Sequence, residues 1–435
     1  MAIKILHLSD IHFRHLGPDG HLDLDADLQN ELIEDLKRLI LTLGKIDIIL
    51  IGGDIAFSGK KEEYETADKW LAEVCSIVNC EKENVSTIPG NHDVDRKAIS
   101  EALADIHTMF KGDKVRRQID VRLDKFMKSP ELTSLLLAPL KNYFDFSLKY
   151  ESVPSQPNKL YWEKNYKLNE NILRIRGLNS ALVSNSADNE DGARLIVGSM
   201  QSLMRTERGV INLILCHHPS DWLRDGNDAM VDFRNRAKLV LFGHKHQFDN
   251  IEVNGSCLVL SAGAMQPSRN EADWEPRYNV LELNIRQVLQ NPMLEVKIYR
   301  RKWQKLQRQF GPEHSEKGSL FFEYDLALTP EEALPYQDQE KTAQPVNEIE
   351  MPETVIDINN IDPIRTLTFH FLGLPYSQKI RIAVELGLVD EQDQNMTEIQ
   401  KAQNYMQRAI DRELLKELWD KVMEKGGEEI ANPFK

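Results

Sequence analysis

Over the first 93 positions, short apolar runs alternate with longer stretches whose apolar residues recur at helical spacing. Positions 4–8, Lys-Ile-Leu-His-Leu, read as a short buried strand that runs out at Asp10. Across 27–43 the apolar residues Leu28, Leu32, Leu36, Leu39, Ile40 and Leu43 keep the spacing of one helix face. A second strand at 46–51 is closed by Gly52-Gly53-Asp54, and a helix follows at 61–78. A third strand at 85–88 is closed by Pro89-Gly90-Asn91-His92-Asp93. Strand and helix in alternation predict parallel strands joined by crossover helices. In such sheets ligands bind at the carboxyl ends of strands. Asp10, Asp54 and Asn91 all stand at such ends.

The pattern then changes. A helical stretch rich in Lys and Arg, at about 95–155, reads as an insertion, either a cap over the site or a surface helix pair. Strands return at 160–168 and 172–177. Those at 210–216 and 238–242 are closed by His217-His218-Pro219 and Gly243-His244-Lys245-His246. Further strands are predicted at 257–261, 278–283, 294–299 and 320–326. Residues 329–352 are polar, acidic and dotted with proline, the composition of a linker. Residues 353–435 read as a small helical domain. Within it, 400–424 carries Met406, Ile410, Leu414, Leu418 and Val422 at steps of four. The predicted division is therefore 1–328, a linker at 329–352, and 353–435.

Composition narrows the function classes. The 435 residues are 41% hydrophobic, enough for a sizeable core, and the formal net charge is −15. That excludes a chain coated in basic residues for non-specific nucleic-acid binding, though not a local basic patch. The four cysteines, Cys75, Cys80, Cys216 and Cys257, show no metal-ligand spacing and are expected to be reduced. With no signal-like segment and no membrane-length apolar run, a cytoplasmic protein is expected.

Five blocks carry the chemistry: Asp10-Ile11-His12, Gly53-Asp54, Gly90-Asn91-His92-Asp93, His217, and Gly243-His244-Lys245-His246. Any one is ordinary by itself, since an Asp at a strand end often caps a helix or shapes a turn. Five in order, each after an apolar strand, are specific. They offer oxygen and imidazole ligands suited to divalent transition metals.

The set resembles the calcineurin-like metallophosphoesterase superfamily, over roughly residues 1–330. The resemblance implies an α/β fold, a double-sheet sandwich flanked by helices, followed here by a small all-α domain. It implies two divalent metal ions, Mn first and Fe or Zn as alternatives. Asp10, His12 and His246 would hold one, Asn91, His217 and His244 the other, and Asp54 would bridge them. His92 would stand over the scissile phosphate as general acid or phosphate stabiliser, oriented by Asp93. Two cations about 3.5–4 Å apart clamp the attacking and leaving oxygens of an in-line displacement, and a water between them becomes hydroxide-like near neutral pH.

The expected function is phosphoester hydrolysis, as a phosphodiesterase acting on a nucleotide-type substrate. SbcD-type repair nucleases carry the same five blocks, so a DNA or RNA nuclease serving as a defence effector is an alternative. A metal-binding adaptor without turnover is a second. Arg300-Arg301-Lys302-Trp303-Gln304-Lys305 reads either as a nucleic-acid path or as a solvated edge strand. His7 is expected to pack within its strand. His218 is open between substrate contact and a structural role. Arg14 and His15 lie on the loop after the first block, where Arg14 could reach a phosphate, and Lys245 is expected to face away from the metals. Residues 353–435 resemble the small helical adaptor domains attached to effectors in bacterial conflict systems, which implies a protein partner.

Overall fold

Residues Ile48–Ile51 and Val210–Cys216 are buried at every position, and each becomes a strand covered on both faces. The structure, a computed structural model, describes residues 2–14, 26–156, 159–188, 194–245, 251–266, 275–288 and 291–336, then 367, 371, 374, 376–390, 393, 398–426, 432 and 434. The chain divides into two units, Met1–Thr342 and Ala343–Lys435.

The first unit begins with β1 (Ile3–Leu8), α1 (Ala26–Leu43), β2 (Ile48–Ile51), α2 (Lys61–Val78) and β3 (Val85–Thr87). Four helices follow: α3 (Glu101–Gly112), α4 (Arg116–Met127), α5 (Pro130–Leu137) and α6 (Lys141–Ser147). Next come β4 (Tyr161–Leu168), β5 (Asn171–Leu178), α7 (Ser199–Ser202), β6 (Val210–Cys216), α8 (Gly226–Arg236), β7 (Leu239–Phe242), β8 (Glu252–Asn254) and β9 (Cys257–Ser261). The unit ends with β10 (Arg277–Val288), β11 (Asn291–Gln304), β12 (Gln309–Pro312), β13 (Phe322–Ala327) and α9 (Pro330–Ala333).

These strands form two sheets. One runs β12-β11-β10-β1-β2-β3, with β13 also on β11, and its β1, β2 and β3 are parallel as the alternation predicts. The other runs β4-β5-β6-β7-β9-β8, with β5, β6, β7 and β9 parallel. Alternation along the strands sorts the side chains. Ile5, Ile48 and Leu50 from the first sheet meet Leu213, Leu215, Leu239 and Leu241 from the second in one core between them. On the outer face of the first sheet, Leu6, Leu8, Ile49 and Ile51 pack under Leu28, Leu32 and Leu36 of α1 and Leu71 and Val74 of α2. The result is the double-sheet sandwich flanked by helices.

The insertion has a definite place. Leu103, Phe110, Ile119, Leu123 and Phe126 of α3 and α4 join Ile214, Cys216, Val240 and Phe242 in a core on the outer face of the second sheet. These two helices cover that face, while Tyr143 and Phe146 of α6 join the outer core of the first sheet and Asp95, Arg96 and Lys97 at the start of the insertion lie beside His92. Three of the insertion's cations are engaged locally: Lys111 with Asp188 at 2.7 Å, Arg116 with Asp232 at 2.6 Å, and Arg122 with Asp113 at 2.9 Å.

The basic run at 300–305 differs from the edge-strand expectation. Its residues 300–304 lie in β11, which pairs with β10 on one side and with β12 and β13 on the other, and Lys305 stands exposed in the turn beyond. Arg301 grips the fully buried Asp35 of α1 through two bonds of 2.6 and 2.8 Å. Arg300 is buried 3.4 Å from Glu313, and Lys302 lies 3.7 Å from Glu275. With carboxylates already facing them, Arg300, Arg301 and Lys302 offer no open path for a polyanion.

Residues 329–336, which open the predicted linker, are docked on this unit. Asn171 Nδ2 donates to the carbonyls of Glu332 and Leu334 at 2.7 and 2.9 Å, and Lys238 lies 3.0 Å from Glu332. In the second unit, helices Tyr376–Glu385, Glu398–Asp411 and Leu415–Gly426 pack around Phe371, Ile382, Met406, Leu418, Trp419 and Val422. The stretch read as one periodic run breaks at Glu413, whose φ is 57°. Steps of four outrun 3.6 residues per turn, so one continuous helix would carry the apolar row off its face. Two shorter helices bring Leu418 and Val422 back to the core.

Candidate functional site

The carboxyl ends of β1, β2 and β3 meet those of β6 and β7 at one edge of the sandwich. There the backbone turns left-handed at four non-glycine residues: Asp10 (φ 54°), His12 (φ 53°), Asp54 (φ 52°) and His244 (φ 65°). Each such turn costs on the order of 1 kcal/mol and persists only where its surroundings over-determine it. Here they do. The amide of Asp10 donates to the Gly53 carbonyl and that of His12 to the Asp54 carbonyl, both at 3.0 Å. The amide of His244 donates to Asp10 Oδ2 at 3.1 Å. Gly53, at φ 98°, leaves room for an imidazole, since a Cβ there would stand 2.5 Å from His217 Nδ1.

Among the described residues three donor clusters result, each with ligand atoms within 4.8 Å of one another: Asp10, Asp54 and His217; His12, Asp54 and His92; and His217, His218 and His244. Asp54 belongs to two of them, and His217 joins the first to the third. Of the residues expected from the sequence, Asp10, His12, Asp54, His217 and His244 come together here. His246 and His15 lie outside the described residues.

The donor set fits divalent cations. His217 is fully buried, and its Nδ1–H donates to the Gly52 carbonyl at 2.6 Å. Its Nε2 thus points at Asp54 Oδ2, 3.3 Å away, with no hydrogen-bond partner of its own. A backbone carbonyl fixing the tautomer of an inward-facing imidazole is the usual support of a metal ligand. Burial alone would raise the Asp54 carboxyl, but the neighbouring His217, with His12 and His92, holds it well below the usual carboxylate range. Burial opposes charge on His217 as well, and Asp54 more than offsets this and raises it.

His92 sits at the rim. Its amide donates to Asp54 Oδ1 at 2.7 Å, and its Nδ1–H donates to the Phe57 carbonyl at 2.8 Å. That leaves Nε2 as the atom able to exchange a proton. Asp93, expected to orient His92, has another task. It is fully buried, accepts from the amides of Ile55, Ala56 and Gly90 at 3.2, 2.9 and 2.9 Å, and takes the Tyr64 hydroxyl at 2.9 Å. Burial, with Asp54 nearby, raises its carboxyl above the ordinary range. The side chain ties the β2 and β3 loops together, and the Phe57 carbonyl orients His92.

Other residues near the site find defined places. His218 is fully buried. Its Nδ1 takes the Ser180 hydroxyl at 2.8 Å, and its Nε2–H reaches Asn91 Oδ1 at 3.1 Å. Burial, then His217 and His244, hold it well below an ordinary imidazole, hence neutral. Through the second of these bonds it holds the Asn91 amide. Trp222 lies edge-on to His244, with ring centroids 4.0 Å apart. Neither Trp222 nor the Phe57 carbonyl bears a sequence signal, because each matters through position alone. His7 is buried in its strand, and burial pushes it down to about 3. Arg14 lies 3.7 Å over the Phe57 ring, and Lys245 turns to Asp221 at 3.2 Å.

Comparisons with known proteins place this geometry. The chain is 26% identical over 289 residues to the uncharacterized metallophosphoesterase-like protein YydB of Bacillus subtilis. The match covers 61% of this chain and 54% of the relative, so the chain spans about half the length of that curated protein. Among solved structures it is similar to purple acid phosphatase PPD1 of yellow lupin, at 12% identity and TM-score 0.34, covering 75% of this chain and 54% of that one. It is also similar to Vacuolar Protein Sorting 29 of Cryptosporidium parvum, at 12% identity and TM-score 0.32, covering 75% and 99%. Residues 363–424 match the GTPase-associated adaptor domain. The calcineurin-like phosphoesterase model matches residues 3–248, more than half of the chain, and the chain belongs to that family.

Proposed function

We propose that this protein is a phosphodiesterase acting on nucleotide-type substrates. The observation that carries the reading is the sharing of Asp54 between two donor clusters with His92 at their rim. The family and these clusters support a metal-dependent phosphoester hydrolase. In our reading Asp10, His12 and His246 would hold one cation, Asn91, His217 and His244 the other, and Asp54 both. Bound there, the cations supply activation of water and neutralise phosphoryl oxygens. The chain does the rest. The Gly52 carbonyl presents His217 Nε2, His218 orients Asn91, and the Phe57 carbonyl aims His92. Protonated His92 gives its Nε2 proton to the departing oxygen and recovers one from solvent. The paired cations of α3, α4 and β11 lend no support to a nuclease reading, which needs exposed positive charge along a strand path.

The test is a hydrolysis panel with added Mn²⁺: bis(p-nitrophenyl) phosphate, cyclic nucleotides, and single- and double-stranded DNA and RNA. We expect the small diesters to be cleaved and His92→Ala to lower kcat by about 10²-fold or more. Cleavage confined to the polymers would overturn the assignment in favour of a nuclease. For residues 353–435 we propose a protein-docking role, supported by the adaptor-domain match. Co-purification with and without these residues tests it, and an unchanged set of partners would refute it.

A further inference from the structure

A cavity of about 320 Å³ opens beside His92, lined by Phe57, Ser58, Lys60, Val94, Asp95, Arg96 and Lys97. Its size is at the lower end for small-molecule sites. Phe57 and Val94 form an apolar wall, with the Phe57 ring 5.4 Å from that of His92. Three cations stand against one carboxylate, in a chain of net charge −15. Asp95 is committed to Lys60 at 2.5 Å. Among the described residues no carboxylate pairs with Arg96 or Lys97, and both are exposed. A larger cavity, of about 470 Å³, lies beside Lys245, and its charges are matched: Lys245 with Asp221 at 3.2 Å and Arg234 with Glu252 at 3.3 Å. Of these two cavities, the one at His92 offers unmatched positive charge among the described residues.

We infer that the cavity beside His92 is the leaving-group subsite and that it selects a leaving group carrying its own phosphate, a nucleotide rather than a bare alcohol or nucleoside. The inference rests on the phosphodiesterase reading and on His92 as the acid. In hydrolysis the water oxygen bonds to phosphorus and loses one proton to solvent. The P–O bond to the leaving sugar breaks, its electron pair stays on the sugar oxygen, and that oxygen takes the His92 proton. The group so released lies against His92, in this cavity. A ring fits the Phe57 and Val94 wall, and a second phosphate meets Arg96 and Lys97, where charge-assisted bonds are strongest.

The experiment compares kcat/KM for thymidylyl-thymidine bearing a phosphate on both ends with that for the same molecule bearing neither. Wild type with Mn²⁺ is expected to prefer the phosphorylated form by about tenfold or more, and the double variant Arg96→Glu/Lys97→Glu to lose most of that preference. The exchange Arg96→Lys/Lys97→Arg should keep it. In chelator-treated protein, where no cation competes for phosphate, thymidine monophosphate should bind the charge-reversed variant at least about fivefold more weakly than wild type. Equal rates on the two dinucleotides, or a preference that survives charge reversal, would overturn the subsite while leaving the phosphodiesterase reading intact. If bis(p-nitrophenyl) phosphate is not hydrolysed either, that reading fails first, and the monophosphate binding then judges the subsite alone.

Discussion

At the scale of the residue, Asp54 is the hinge of the site. One oxygen takes the His92 amide, the other faces His217 Nε2, and its backbone carbonyl anchors His12. A side chain used this way cannot be shortened without disturbing both clusters. Asp54→Ala is therefore expected to lose both metal ions together, as elemental analysis of the purified variant would read, and activity by on the order of 10²-fold or more. Two metals retained per chain in this variant would refute the bridging role.

Among the elements, α3 carries a buried liability. His107 is 1% exposed and neither ring nitrogen has a hydrogen-bond partner. Burial, with Lys111 alongside, pushes its imidazole down from 6.5 to about 4. Between those values the unfolded chain takes up a proton that the folded helix refuses. Stability therefore falls as pH drops through that window, by up to about 1.4 kcal/mol per pH unit from this group. Urea unfolding from pH 7 to pH 4 should show the decline, and His107→Leu should flatten it. An equally steep decline in the variant would remove His107 as the cause. The same scale explains why β11 reads poorly from sequence: a run of Arg and Lys signals solvent, yet Asp35 and Glu313 arrive from α1 and the segment after β12 to pair it.

For the whole molecule, the site is a seam. Asp10, His12 and Asp54 come from the end of one sheet, and His217 and His244 from the other. Cations held across that seam bind only the folded first unit, so they stabilise it by mass action, about 2.7 kcal/mol at a hundredfold excess over Kd. Calorimetry should show Mn²⁺ raising, and a chelator lowering, the transition of Met1–Thr342, while that of Ala343–Lys435 stays put. A first-unit Tm insensitive to both would contradict metal binding at the seam. Among the described residues no helix is long and apolar enough to cross a membrane.

The sequence by itself determined the parallel strands, their order along the chain, and the residues standing at their ends. Hydrophobic periodicity and turn chemistry are local, and both were written at positions 4–12, 46–54 and 85–93. Asp10, His12 and Asp54 were legible for that reason, and His217 and His244 by the same signals at 210–217 and 238–244. What only the tertiary structure decided are the relations between distant segments. The Gly52 carbonyl chooses the tautomer of His217 and the Phe57 carbonyl aims His92. Asp93 turns from partner of His92 to a brace between loops, His218 becomes the support of Asn91, and α3 and α4 of the insertion lie on a sheet face. A backbone carbonyl looks the same at every position of a sequence. Which side chain it meets is settled only when two sheets pack and bring their edges together.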